Sequence, residues 1–294
     1  MTSDQDADPF DCAVVGAGPA GASCAVWLAR LGLRPVLLEA DARPGGATAK
    51  SPYRNDWLAT SPGATGEDLA RQIARSLELS GVDLRCGARV ASVGRERDVF
   101  LLSVDGQAVP IAARTVVLAG GCSPVADGFP DDPRILVGPG AQIFHHEFAG
   151  LDVAVLGGGD NGFENAAFVL EKGARRVDLY ARSVRARPDF VAAVPAGSVT
   201  AGPYEVGADG LAVNGRRYDR VLVMYGFRPD LGILATPPDT DARGHPVTAR
   251  DTAETSASGV YAIGEIAGRA HPCVATALGE GVVAAKAIER RLRP

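Results

Sequence analysis

Two glycine-rich turns carry the residues best suited to chemistry. Gly16-Ala17-Gly18-Pro19-Ala20-Gly21 follows the apolar run Cys12–Val15 at once. An Ala/Leu-rich stretch runs on to about Leu31, Gly32 ends it, and Pro35-Val36-Leu37-Leu38 closes on Glu39. The order is strand, G-x-G-x-x-G, helix, strand, acid. Gly16 permits the tight turn, Gly18 lets a pyrophosphate approach the backbone, and Gly21 lets helix and strand pack closely. The N–H groups at the helix start hold phosphates. Glu39 stands where a carboxylate accepts both ribose hydroxyls of an adenosine. The pattern points to an ADP-containing dinucleotide; the alternative is a glycine-rich turn with no ligand.

The second turn is Gly157-Gly158-Gly159-Asp160-Asn161-Gly162, between a strand Asp152–Leu156 and a helix Phe163–Lys172. Its binding residues are Gly157, Gly159, Asp160 and Asn161. No acid ends the next strand, Arg176–Tyr180; Arg182, Arg185 and Arg187 appear instead. Arginine favours a 2′-phosphate where an acid would favour the free hydroxyl. The second dinucleotide is therefore expected to be NADPH, held by Arg182 and Arg187. The alternative is a solvated basic loop.

Other reactive side chains are scattered. The cysteines are 12, 24, 86, 122 and 273. Their odd number and irregular spacing argue against a disulfide framework and for a reducing cytoplasm. C-x-x-C occurs nowhere, so a dithiol relay is not available. His145 and His146 are candidate proton donors or bases; the alternative is loop surface or hydrogen-bonded core. As adjacent residues their side chains diverge, with no third ligand evident, so no metal site is expected. His271 and Cys273 flank Pro272 just before an Ala-rich helix. The alternative for Cys273 is a small buried filler.

The elements that position these groups follow from pattern. Thr65–Gly81 reads as a helix, with Thr65 and Asp68 at capping-box spacing, Leu69, Ile73 and Leu77 on one face, and Gly81 as its stop. Residues 82 to 119 read as short strands, with Asp105-Gly106 a hairpin turn. A helix runs from about Ala275 to Arg291. The chain has 294 residues, 36 of them glycine, and a net charge of −5. That charge is no footprint for nucleic acid or an anionic membrane. No apolar run nears the roughly 20 residues of a spanning helix, and the polar, acidic N-terminus reads as no signal peptide.

Together these pieces resemble the low-molecular-weight thioredoxin reductase group of flavoproteins with two dinucleotide-binding domains. The likeness covers nearly the whole chain. It rests on Gly16–Gly21 with Glu39, Gly45-Gly46, Leu118-Ala119-Gly120-Gly121, Gly157–Glu164, Gly226-Phe227-Arg228-Pro229, and Gly264-Glu265 with Gly279-Glu280-Gly281. It implies an α/β protein of two Rossmann-like, three-layer domains. An NAD(P)H domain, 122–247, is inserted into an FAD domain, 1–121 plus 248–294, through two hinge strands. It also implies a homodimer in which the NADPH domain rotates between a hydride-transfer and a substrate-facing orientation. The implied FAD-binding residues are Gly16, Gly18, Pro19, Ala20, Gly21, Glu39, Ala40, Gly45, Gly46, Asn55 (or Asp56, before Trp57), Val90, Gly120, Gly264 and Glu265.

Several departures from that group matter. Its C-x-x-C positions fall here near Gly140 and Ile143, within Gly140–His146. Gly264-Glu265 replaces G-D, whose Asp bonds the ribityl chain. His271-Pro272-Cys273 replaces the R-Q-A that faces the flavin ring, and Ser183 replaces a paired arginine. The aromatic C-terminal extension of the related ferredoxin–NADP reductases is missing. The resemblance then implies an FAD-dependent NAD(P)H oxidoreductase without a dithiol relay. It would pass electrons from NADPH via FAD to a small organic acceptor or an electron-carrier protein. His271, Cys273, His145 and His146 are its catalytic candidates, with a substrate-sized gap expected at Gly140 and Ala141. The alternatives are an NADPH-dependent flavin monooxygenase or oxidase using O₂, and a non-enzymatic flavin or NADPH sensor.

Overall fold

The computed structural model describes residues 8–51, 54–126, 128–269 and 271–293. The chain opens with Cys12–Val15 (β1), Pro19–Arg30 (α1) and Pro35–Glu39 (β2). β1 and β2 are buried almost throughout, as apolar runs in a parallel sheet covered on both faces must be. Gly66–Leu79 (α2) carries the expected capping box, with Thr65 and Asp68 exchanging bonds, and Gly81 stops it at φ 64°. Asp83–Cys86 (β3) adds a parallel edge to β2. Val90–Glu96 (β4), Val99–Val104 (β5) and Ile111–Ala113 (β6) form an antiparallel meander with Gly106 in the expected turn. Val116–Leu118 (β7) pairs with β1.

From Ser123 to Phe227 the chain builds a second compact unit. Ile135–Val137 (β8), Asp152–Leu156 (β9), Arg176–Ala181 (β10), Val199–Ala201 (β11) and Arg220–Val223 (β12) form a parallel sheet. Its order is β8-β12-β9-β10-β11. The links are one helical turn, Ala141–Phe144 (α3), then Asp160–Glu171 (α4) and the short Pro188–Ala192 (α5). Alternation along each strand sorts the faces. Val153, Val155, Leu179 and Leu222 meet Phe163, Ala166 and Val169 of α4. Ala154, Leu156, Val221 and Val223 meet Leu211, Val213 and Tyr218 on the other side.

The chain then rejoins the first unit as Val260–Ala262 (β13) and Val274–Leu292 (α6). The sheet there runs β13-β7-β1-β2-β3, all parallel. Cys12, Val14, Leu37 and Val117 face Leu28 of α1 and Ile288 of α6. Ala13, Val36, Leu38 and Val116 face Phe100 and Leu102 of the meander. Both units are thus Rossmann-like α/β structures, as expected.

The unit boundary differs from expectation on one side. The first crossing, after Cys122, lies beside the expected 121, but residues 228–247 group with the outer unit and not with the insertion. Leu231, Ile233 and Leu234 explain this, because they pack into the core beneath the meander. The Val93 amide donates to the Ile233 carbonyl at 2.6 Å, and the Ala235 amide to the Val93 carbonyl at 3.0 Å. Burial of Leu234 alone stabilises by roughly 1.5–3 kcal/mol, so the segment stays with that core. Among the described residues no helix is long and apolar enough to cross a membrane.

Candidate nucleotide-binding sites

The first turn sits where β1 ends, at the centre of its sheet. Gly16 has φ 102°, and a Cβ there would lie 2.5 Å from the Ala119 carbonyl oxygen at the end of β7. A Cβ on Gly21 would lie 2.0 Å from the Gly16 oxygen, whereas one on Gly18 would meet nothing within 4 Å. The three glycines therefore do three jobs: turn, open approach and close packing. Gly18 is the N-cap of α1, with no capping side chain and Pro19 behind it. Its first amides are left for an anion. Gly45 donates to the Ala17 carbonyl at 2.9 Å, and Gly46 closes on Gly18. Glu39 is 6% exposed at the end of β2. Its carboxylate accepts from the Ala17 amide at 2.7 Å and the Asp41 amide at 2.8 Å. A carboxylate has about four acceptor positions, so this one is pinned in place with capacity to spare for a ribose. Exposed Ala40 lies between these anchors.

The second turn repeats the first, glycine for glycine. Gly157 has φ 141°, and its Cβ would lie 2.3 Å from the Met224 oxygen just past β12. A Cβ on Gly162 would lie 2.1 Å from the Gly157 oxygen, while Gly159 is open. Gly159 caps α4, again with no side chain. The Asp160 carboxylate accepts from the Arg187 amide at 2.9 Å, and the Asn161 carbonyl from the Asn165 side chain at 2.7 Å. Arg182 is exposed just past β10.

The other expected FAD residues of the outer unit divide. Gly120 is open, and a Cβ on Gly264 would press on Ala20 at 2.9 Å. The Gly264 amide donates to Glu280 at 2.6 Å. Asn55 accepts from the Trp57 amide at 3.1 Å, and Trp57 itself is 86% exposed. The Val90 side chain is buried in the core beneath the meander, so only its backbone can meet a nucleotide. Burial raises the Glu265 carboxyl, and the charge of His245 opposes the rise. Burial also pushes the Cys122 thiol up to about 12; it donates to the Glu265 carbonyl at 3.6 Å. His245 was not foreseen. It is buried, its Nδ1 lies 3.0 Å from the Ile266 carbonyl, and Gly268 packs on its ring. It lies in 228–247, where no local motif marks it. His271 and Cys273 are exposed at the start of α6. A bond with the Thr276 hydroxyl lowers the Cys273 thiol, so it is no buried filler.

The profile of the pyridine nucleotide-disulphide oxidoreductases matches residues 10–196. The chain belongs to that family. Among its relatives is an alkyl hydroperoxide reductase chain of Staphylococcus epidermidis, 26% identical over 95% of this chain and 58% of that one. Another is the ferredoxin–NADP reductase of Limosilactobacillus fermentum, 29% identical over 97% of this chain and 94% of that one. The chain spans less than two thirds of the length of the first of these curated relatives. A crystal structure of Lactococcus lactis thioredoxin reductase superposes with a TM-score of 0.78 at 19% identity, over 96% of this chain and 98% of that one. That likeness speaks for the fold alone. The family is one of NAD(P)H-dependent flavoproteins that use FAD and NADPH. The geometry fits both: each unit offers a bare helix start beside an open glycine.

The region of the expected dithiol is where this family member departs most, and one expectation there needs correction. Ile143 is fully buried in the core of the inserted unit, and the Phe144 ring lies 4.3 Å from Phe168 of α4. The segment after Gly140 therefore packs inward through these two residues; the side chain of Ala141 lies outside the described residues. His145 and His146 are not at the nucleotide end of their sheet. His146 lies beside Arg220, the first residue of β12, and that charge adds to burial in lowering its imidazole. The glycine turn is at the opposite end, where β9 finishes. The physical reason is that α3 is the crossover between parallel strands, and the chain after it must return to where β9 starts. Arg187 is tied to Asp189 at 2.7 Å.

Proposed function

We propose that this enzyme takes electrons from NADPH through FAD to an acceptor that is not a dithiol, either a small organic molecule or an electron-carrier protein. The carrying observation is Ile143, which fills the second thiol position and is fully buried, in a chain with no C-x-x-C. Bound together, the cofactors supply hydride transfer and onward electron transfer. The chain supplies orientation. The amides that open α1 hold one pyrophosphate, Glu39 fixes the adenosine ribose beside it, and the amides that open α4 hold the other. Arg182 selects the 2′-phosphate. His271, at the start of α6, serves as a proton donor to the acceptor. A homodimer and a cytoplasmic setting complete the reading, by resemblance to the thioredoxin reductase group.

The test is anaerobic mixing of NADPH with FAD-loaded protein, followed by single acceptors. We expect the visible flavin band to bleach, and then to return with a quinone or carrier but not with thioredoxin or an aromatic disulfide. His271→Ala should leave bleaching intact and slow return by about 10²-fold. Thioredoxin turnover would overturn the reading. No bleaching would make the protein a sensor, and fast return with O₂ alone would make it an oxidase or monooxygenase.

A further inference from the structure

Three arginines follow β10, and they are not equivalent. The guanidinium of Arg187 meets Asp189 through two bonds, at 3.2 and 2.7 Å, and stands 4.6 Å over the Phe190 ring. Its amide is fixed to Asp160, and the charges of Asp160 and Glu164 also bear on it. Asp189 thus takes the Nε–Nη2 edge of this fork and offsets its charge, and Phe190 covers one face. Arg182 and Arg185 are exposed, and among the described residues neither forms an ion pair.

The backbone holds these two at the turn. The Arg185 amide donates to the Gly158 carbonyl at 2.7 Å, and the Ala186 amide to the same oxygen at 3.0 Å. A Cβ on Gly158 would lie 2.0 Å from the Ser183 oxygen. Only glycine lets the segment from Arg182 to Ala186 press this closely on the turn. Gly158 immediately precedes Gly159, the bare cap of α4. Arg182 and Arg185 thus hang from one clamped loop beside the phosphate-binding helix start, with their donors uncommitted.

We propose that Arg182 and Arg185 together grip the 2′-phosphate monoester of the dinucleotide, and that Arg187 is a strut closing the loop onto α5. This rests on the NADPH reading above. It departs from the pair expected from the sequence, which is Arg182 with Arg187. Two forks around one dianion give charge-assisted, bidentate recognition; the Arg187–Asp189 pair gives the loop its shape.

The experiment uses the full FAD-loaded chain and two probes, adenosine 2′,5′-bisphosphate and adenosine 5′-monophosphate, by calorimetric titration. The ratio of kcat/KM for NADPH over NADH is measured alongside. Arg182→Ala and Arg185→Ala should each lower bisphosphate affinity by about tenfold or more and leave monophosphate affinity within about twofold. Arg187→Ala should change neither the affinity ratio nor the kcat/KM ratio by more than about twofold. Unchanged monophosphate binding reports an intact turn; Arg185→Gln replaces Arg185→Ala if the latter does not fold. If Arg187→Ala abolishes the discrimination and the Arg185 variant keeps it, the proposal is overturned while the NADPH reading stands. If the unaltered protein binds both probes equally, both readings fail.

Discussion

Gly18 and Gly21 carry the same missing side chain for opposite reasons. Around Gly18 the space is empty, and only a ligand needs it; around Gly21 the space is filled by the Gly16 carbonyl. Gly18→Ala should therefore leave the melting temperature of the FAD-free protein nearly unchanged and weaken FAD. Gly21→Ala should lower the melting temperature before any ligand is added. Gly159→Ala and Gly162→Ala should repeat the contrast for NADPH. Equal melting losses in each pair would refute the division of roles. Glu39→Ala should weaken FAD by about 1–3 kcal/mol, through loss of charge-assisted bonds, as measured by equilibrium titration. Glu39 also accepts the Ala17 amide, so part of the loss is a turn left unpinned. Glu39→Gln, which keeps an acceptor oxygen, should lose less. At this scale the glycines were legible because each job has a fixed place in the hexad. The pairing of Arg187 was not, because Asp189 two residues on has no periodicity that would mark it as a partner.

Helix α2 shows what an element owes to its first residue. Thr65 accepts the Asp68 amide at 3.2 Å, and the Asp68 carboxylate accepts the Thr65 amide at 2.9 Å. Thr65→Ala should cost about 1 kcal/mol in urea unfolding. The bond from the Thr65 hydroxyl, more than the Thr65 amide, holds the Asp68 carboxyl below its ordinary value. A lowered carboxyl stabilises the fold fully above its unfolded value of about 3.9, and that stabilisation is lost as pH falls through the folded value. The gap in melting temperature between the parent and Thr65→Ala should hence narrow as pH drops below about 4. A gap that widens on acidification would contradict this. The cap, the Asp105-Gly106 turn and both βαβ units were readable from sequence because their signals are local. The single turn α3 was not. Ile143 and Phe144 look like a loop flanked by histidines until the core they enter is known.

For the whole molecule, the segment 228–247 decides which half owns the chain's return. Leu234 is buried with Val93 and Phe100 beneath the meander. Leu234→Ala should cost about 2–5 kcal/mol, and should move the thermal transition that releases FAD while leaving binding of adenosine 2′,5′-bisphosphate in place. The reverse result would assign the segment to the insertion. Motif reading missed this because it followed glycines, and the owner of 228–247 is set by three aliphatic residues with no motif.

The inserted unit is one unbroken stretch, Ser123–Phe227, whereas the outer unit needs both ends of the chain. On the ribosome that difference becomes a schedule. The insertion has all five strands of its parallel sheet as soon as it emerges and can fold there. The first 122 residues cannot finish, because β13, the neighbour of β7, and α6, the cover of α1, are made after the whole insertion. During that wait the free edge of β7 and the apolar flank of α1 around Leu28 stand open to a chaperone or to a second nascent chain. Capture of flavin then waits on the return segment, and growth conditions that slow translation past the insertion would be felt first as colourless chains.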